Sequence, residues 1–325
     1  MSAIFKDGDL EDCDNIFILT KSSKNIEIYG EIHNKPIGEN NSYIKMIAEI
    51  SEYSPKPLVL VEHSSNNCNL DNLPDDMVKY ILSRGGSETI FYHLQLTDYP
   101  KLHCIDNRVE LNLLSGQEEF YYKSLIEEIL DKNIPESREI IEPIITILSD
   151  QLAIFNGDTI KQIFATSVYS MLYQTYINVF KRHFTIIRLC LNNRTKDKDF
   201  FKKDFNGESN WDIFNILILL LLTNMQKLGS LIVDINIINT IKKSRSPNII
   251  LYTGLNHAHR VSYILSNTRD MSKLLGVAIN NIYDLTIKKL DSGYNLLDVA
   301  PSKISIDSSE ETNIMLHLLN LLKPI

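Results

Sequence analysis

Two stretches of this chain end in the same way, and together they dictate a sheet with polar groups gathered at one edge. Residues 26–33 read Ile-Glu-Ile-Tyr-Gly-Glu-Ile-His, and residues 248–260 read Asn-Ile-Ile-Leu-Tyr-Thr-Gly-Leu-Asn-His-Ala-His-Arg. Ile26 to Tyr29 alternates apolar and polar side chains and is rich in β-branched residues, which is the pattern of a strand, and it stops at Gly30. The second stretch is a short apolar run that ends at Gly254. Each is a strand running into Gly-x-x-His, Gly30 to His33 and Gly254 to His257. With 12 Gly and 8 His in 325 residues, chance supplies roughly 0.3 such motifs per chain. Two copies, both at the carboxyl end of an expected strand, mark a candidate site.

The remaining elements build a sheet around that pair. Ile16 to Lys21 reads as a first strand, joined to the strand at Ile26 by a spacing that suits an antiparallel hairpin. After a loop containing Pro36 and Gly38, Tyr43, Ile44, Ile47 and Ile50 fall at helical spacing, which predicts a crossover helix over 42–53. Leu58 to Val61 is a continuous apolar run of the kind found in a parallel strand covered on both faces, with Glu62 and His63 at its end. A helix is expected around Asp75 to Ser83, and a third strand over Leu102 to Ile105, followed by Asp106, Asn107 and Arg108.

From Glu110 to Ser244 the periodicity is helical, with expected helices over Phe120–Leu130, Ile140–Phe155, Thr159–Leu191 and Trp211–Gly229 and a loop over Arg194–Asp204. A strand over Ile249–Thr253, a helix around His259–Leu265, a strand over Leu275–Ile279 and an amphipathic helix over Glu310–Leu322 complete the reading. The expected fold is α/β, a mostly parallel sheet flanked by helices with a large all-helical insertion. Residues 16–110 and 246–325 form the two halves of the core, the second including the closing helix, and 111–245 form the insertion.

Charge and cysteine usage exclude several classes. Against 41 acidic residues stand 33 basic ones, a net charge of −8 that offers no footprint for nucleic acid or an anionic membrane. The acidic N-terminus lacks the apolar segment of a signal peptide, and the most apolar run, Ile213–Leu222, is too short to span a bilayer and reads as a buried helix. Cys13, Cys68, Cys104 and Cys190 form no Cys-x-x-Cys pair, which speaks against a zinc knuckle or a disulfide framework. A reduced, cytoplasmic protein is expected.

In open α/β sheets ligands bind beyond the carboxyl ends of the strands. That rule gives Glu31, His33, Glu62, His63, Asp106, Arg108, His257 and His259 a common address, suited to metal binding or to metal-free acid-base hydrolysis. Adjacent residues at a strand end point to opposite faces, so one of Glu62 and His63 faces the cleft, and Glu62 is preferred. On a helix His257 and His259 would stand about 200° apart, so both converge only if the helix begins after His259. Asp106 and Arg108 are either a structural ion pair or part of the site. His93, His103, His183 and His317 have no partner pattern.

Gly30-Glu31-Ile32-His33, Leu58-Val59-Leu60-Val61-Glu62, Ile105-Asp106-Asn107-Arg108 and Gly254-Leu255-Asn256-His257 together resemble the superfamily containing erythromycin esterases, ChaN-like haem-binding lipoproteins, and the TraB and Tiki proteins. The resemblance covers roughly residues 16–110 and 246–285 and leaves the helical middle unmatched. In Tiki-like members the paired Gly-x-x-His motifs and a glutamate are attributed to a metal-dependent protease site, which implies His33, His257 and Glu62 or Glu31 here. In the esterases similar residues are thought to activate water without a metal. Tiki and ChaN proteins are exported, and the absence of a visible signal here sets their substrates aside.

The expected function is therefore hydrolysis of a small-molecule or peptide substrate. Glu31, Glu62, Arg108 and His257 are the catalytic candidates, with a neutral histidine or a glutamate taking the water's proton and Arg108 or a metal facing the oxyanion. His33, His257 and Glu62 are the candidate ligands of a divalent Zn, Mn or Co, the lack of a cysteine ligand arguing against softer ions. A metal-free site would instead need a histidine with a pKa near neutrality, oriented by Glu31 or Glu62. The rival class is a binding module that holds a small molecule or haem in the same cleft, detectable by a Soret band.

Overall fold

A computed structural model describes residues 13–21, 24–31, 47–48, 50–64, 74, 86–131, 138–194, 204–205 and 208–266. The helix expected over 75–83, the strand over 275–279 and the closing helix over 310–322 lie outside the described residues. Two compact units emerge, one drawn from Met1–Asn112 and Ser230–Arg269, the other from Leu113–Gly229 and Asp270–Ile325.

The first unit is built on a five-stranded sheet. Strands β1 (Cys13–Lys21), β2 (Lys24–Glu31), β3 (Leu58–Ser64), β4 (Leu102–Asp106) and the later strand Asn248–Gly254, numbered β7 below, lie in the order β1-β2-β7-β3-β4. β1 and β2 form the expected antiparallel hairpin, and β2, β7, β3 and β4 are mutually parallel. The fold is α/β. β7 sits in the middle because its run is apolar on both faces, and every residue from Ile249 to Gly254 is buried. Its register sets Glu31 beside Gly254 and Val61 beside Tyr252, so β2, β7 and β3 end at nearly the same level.

Each face of the sheet has its own cover. Tyr29, Val59, Val61, Ile250 and Tyr252 pack with Ile90, Phe91 and Leu94 of helix α1 (Gly86–Leu96) and with Ile47 and Ile50, the latter two in helical residues of the expected crossover. These strand residues alternate along their strands, so the residues between them face the other way. That second face receives helix α7 (Leu255–Ser266), which leaves β7 without an intervening loop. Gly30 is the contact point: a Cβ there would lie 2.9 Å from Ala258 Cβ and 3.1 Å from Leu255 Cδ1. Gly30 therefore does not end β2, which runs on to Glu31; it lets the helix approach the sheet.

The described helices of the second unit begin with α2 (Gly116–Asp131), whose start carries a capping box: Ser115 N–H donates to Glu118 Oε2 at 2.9 Å, and Glu118 N–H to Ser115 Oγ at 3.3 Å. α3 (Arg138–Phe155) follows. The single helix expected over Thr159–Leu191 is two, α4 (Asp158–Ala165) and α5 (Ser170–Arg194), linked by stacking of Phe164 on Tyr173 at 4.5 Å, while Tyr173 Oη donates to Phe155 O at 2.7 Å. Two-residue strands β5 (Asp204–Phe205) and β6 (Glu208–Ser209) pair with each other where no strand was expected. Helix α6 (Asn210–Lys243) continues through Gly229, where the sequence suggested an end, and contributes to both units.

α6 contains a segment, Leu217–Lys243, long and apolar enough to cross a membrane by length and composition, with 72% of its most apolar window buried. Leu217, Ile218, Leu221 and Leu222 are among the buried residues, in line with the buried helix expected over Ile213–Leu222.

Candidate active site

The last part of α6, from Ser230 onward, is fixed to the sheet at two points. Asn236 Nδ2 donates to Ile105 O of β4 at 2.9 Å, and Lys24 Nζ at the start of β2 donates to Ile241 O at 2.7 Å. Just before these ties α6 carries Asp234, the only acid in the run Leu231 to Ile241, and it is fully buried. α7 brings His257 in its first turn. Helical side chains lean toward the helix N-terminus, which here is the carboxyl end of β7, so the imidazole is delivered to the sheet edge.

There it is held between two carboxylates. His257 Nδ1 meets Asp234 Oδ1 at 2.5 Å, and His257 Nε2 stands 3.4 Å from Glu62 Oε1. Glu62 lies near the end of β3 at a bulge, where one extra residue is accommodated between Val61 and Ser64. Its Oε2 accepts from Thr253 Oγ1 and from Gly254 N–H, both at 2.7 Å. The side chains of Glu62 and His257 are 10% and 9% exposed, so these contacts operate largely out of water. Asp234 also accepts from Arg260, whose Nε lies 2.5 Å from Oδ2 and whose Nη2 donates to Ser230 Oγ at 2.6 Å.

The charges reinforce one another. Burial on its own pushes the His257 pKa down, but the charges of Glu62 and Asp234 and the hydrogen bonds to both outweigh it and raise the value to about 9. Burial likewise pushes Asp234 up, and the charges and hydrogen bonds of Arg260 and His257 outweigh it, holding the carboxyl below the usual range. At neutral pH the ring is an imidazolium, and the formal charges of Glu62, Asp234, His257 and Arg260 cancel. This corrects the expected near-neutral pKa. Nε2 therefore carries a proton at neutral pH.

His259, His63, Asp106 and Arg108 have other surroundings. His259 is exposed while His257 is buried, because α7 starts at Leu255 and the two residues diverge around it. His63 lies across the strand from Glu62, against Phe91 and Tyr92 at ring distances of 4.6 and 5.3 Å. Burial lowers its pKa, with the charge of Asp106 opposing, and its Nε2 has no hydrogen-bond partner among the described residues. Arg108 gives Nε and Nη2 to Asp106 at 2.9 and 2.7 Å, both side chains about nine-tenths buried, so the pair is the structural ion pair and that edge of the guanidinium is not turned to an oxyanion. Glu31 is described in its backbone alone, beside Gly254, and His33 lies outside the described residues.

Sequence reasoning missed Asp234, Arg260, Ser230 and Thr253. For Asp234 a signal existed: a lone acid in an eleven-residue stretch otherwise made of apolar residues, Asn and Thr.

Two donors here suit a divalent ion. Ligands each about 2.1 Å from a tetrahedral ion stand about 3.4 Å apart, which is the separation of His257 Nε2 from Glu62 Oε1. The hydrogen bond from Nδ1–H to Asp234 is the carboxylate partner that metal-bound imidazoles commonly have. Binding would displace the Nε2 proton. Among the described residues no group of three or more His, Cys, Asp or Glu is placed to hold a metal ion. Further ligands would have to come from residues such as His33 and the Glu31 side chain. No family model matches the chain, and neither does any curated protein or solved structure.

Proposed function

We propose that this chain is a hydrolase of the erythromycin-esterase, ChaN, TraB and Tiki superfamily, with residues 111–245 as a helical insertion in its α/β core. The observation that supports it is the pairing of Glu62 with His257 Nε2 at the carboxyl edge of neighbouring parallel strands, both side chains about nine-tenths buried. One group starts as a base and the other as an acid. Glu62 takes a proton from water as the water oxygen bonds to the substrate carbonyl carbon, and Nε2 of His257 gives its proton to the leaving group as that bond breaks. A proton passing from Glu62 to Nε2 restores the starting state.

In a metal-dependent version, Glu62, His257 and His33 would hold the ion, which when bound supplies Lewis acidity and a lowered water pKa. The substrate is a small molecule or peptide with an ester or amide bond.

The test is to assay ester and peptide libraries with the purified chain before and after exhaustive chelation, then with Zn, Mn or Co restored, alongside metal analysis of wild type and His33→Ala. Hydrolysis that survives chelation but disappears in His257→Ala supports the metal-free route. Hydrolysis lost on chelation and restored by one ion supports the metal-dependent route. No hydrolysis under any condition overturns the enzyme reading, and a Soret band on haem titration would then favour a binding module.

A further inference from the structure

We infer that Asp234, held by Arg260 and Ser230, is the positioning residue of this site, fixing the His257 ring so that Nδ1 is its permanent donor and Nε2 its reacting nitrogen. The kinetic consequence rests on the reading of Glu62 and His257 as the water-activating pair; the ring geometry does not.

A fully buried carboxylate in a helix is expensive unless charges and hydrogen bonds repay it, and an apolar residue would pack at that position without the penalty. Asp234 is repaid on both oxygens, Oδ1 by His257 Nδ1 and by Arg260 Nη2 at 3.2 Å, and Oδ2 by Arg260 Nε. Ser230 and Asp234 lie four apart on α6, and His257 and Arg260 three apart on α7, so each pair shares one helix face. The four side chains make a polar link between the two helices. The helix that carries Asp234 is itself tied to the sheet two and seven residues further on, at Asn236 and Ile241.

A purely structural ion pair would need only Arg260. The link also includes an imidazole whose far nitrogen faces Glu62, and that orientation is set by the carboxylate at Nδ1. An asparagine at 234 keeps the shape but can turn its NH₂ toward Nδ1, which selects the wrong tautomer.

The experiment uses the full chain labelled with ¹⁵N-histidine. A protected, far-downfield imidazole proton assigned to Nδ1 of His257 is expected in wild type and in Ser230→Ala, and it should be lost in Asp234→Asn. In parallel, Asp234→Asn should lower kcat on the order of 100-fold or more with KM nearly unchanged. Wild type lacking a protected Nδ1 proton, or folded Asp234→Asn retaining it, overturns the inference. If Asp234→Asn does not fold, the wild-type spectrum decides. If wild type hydrolyses nothing, the enzyme reading fails while the spectrum still tests the positioning role.

Discussion

Substituting Gly30 by alanine probes how α7 is seated and, through it, where His257 stands. The new Cβ would lie 2.9 Å from Ala258 Cβ, 3.1 Å from Leu255 Cδ1 and 3.2 Å from Leu255 Cα. Carbon atoms in contact normally keep about 3.5 to 4.0 Å, so α7 must retreat by about 0.5 to 1 Å or β2 must deform. Overpacking of this kind costs about 1–3 kcal/mol, partly offset by about 0.5–1 kcal/mol from replacing a strand glycine with alanine. The net expectation is a loss of about 1–2 kcal/mol. Ala258→Gly on its own costs about 1 kcal/mol of helix propensity, but it removes the nearest obstacle. The double variant should therefore recover part of the loss, giving a coupling of at least about 1 kcal/mol, with the Leu255 contacts limiting the rescue. Urea denaturation of the four proteins measures this directly. A Gly30→Ala variant as stable as wild type, or four free energies that add to within about 0.3 kcal/mol, would refute the packing argument.

Three further outcomes follow from named contacts. The folded-state pKa of His257 is raised from 6.5 to about 9, so in chelator-treated protein its stabilisation is whole below pH 6.5 and is lost as pH rises through 9. That loss amounts to no more than about 3 kcal/mol, and urea midpoints that stay level from pH 6 to 10 would contradict it. Tyr99 Oη donates to Pro57 O at 2.8 Å, and burial raises that phenol to about 12; Tyr99→Phe should cost about 1–2 kcal/mol by orphaning the carbonyl, read as a lower thermal midpoint. Thr253→Val removes a hydrogen-bond donor to Glu62 Oε2. It should lower kcat/KM about tenfold while leaving the fold intact by circular dichroism, and an unchanged kcat/KM would remove Thr253 from the site.

The sheet was legible because its central strands are built on continuous apolar runs, Leu58 to Val61, followed at once by Glu62 and His63, and Ile249 to Tyr252, followed by Thr253 and Gly254. Which side chains meet was less so. His257 and His259 could not be separated from spacing alone, since the answer depends on α7 starting at Leu255 with no loop after β7. Gly30 looked like a strand end because periodicity says nothing of a helix packed on the far face, where the reason for the glycine lies.

Asp234 escaped because it reaches the site from α6, 172 residues after Glu62, and Gly229 suggested that the helix ended before it. Arg108 and Asp106 were visible as a pair, yet whether two neighbouring charges bind each other or a substrate depends on side-chain rotamers. The break between α4 and α5 follows from the turn over 166–169, where no proline or glycine announces it.

The central claim, that Glu62 and His257 act on one water as a unit, is tested most directly by the kinetics of Glu62→Gln, His257→Ala and the double variant on whichever substrate the libraries identify. Residues that act as a unit are strongly non-additive. The account predicts that each single change lowers kcat/KM nearly as far as the double. Losses that multiply independently, or a Glu62→Gln variant with wild-type turnover, would contradict it.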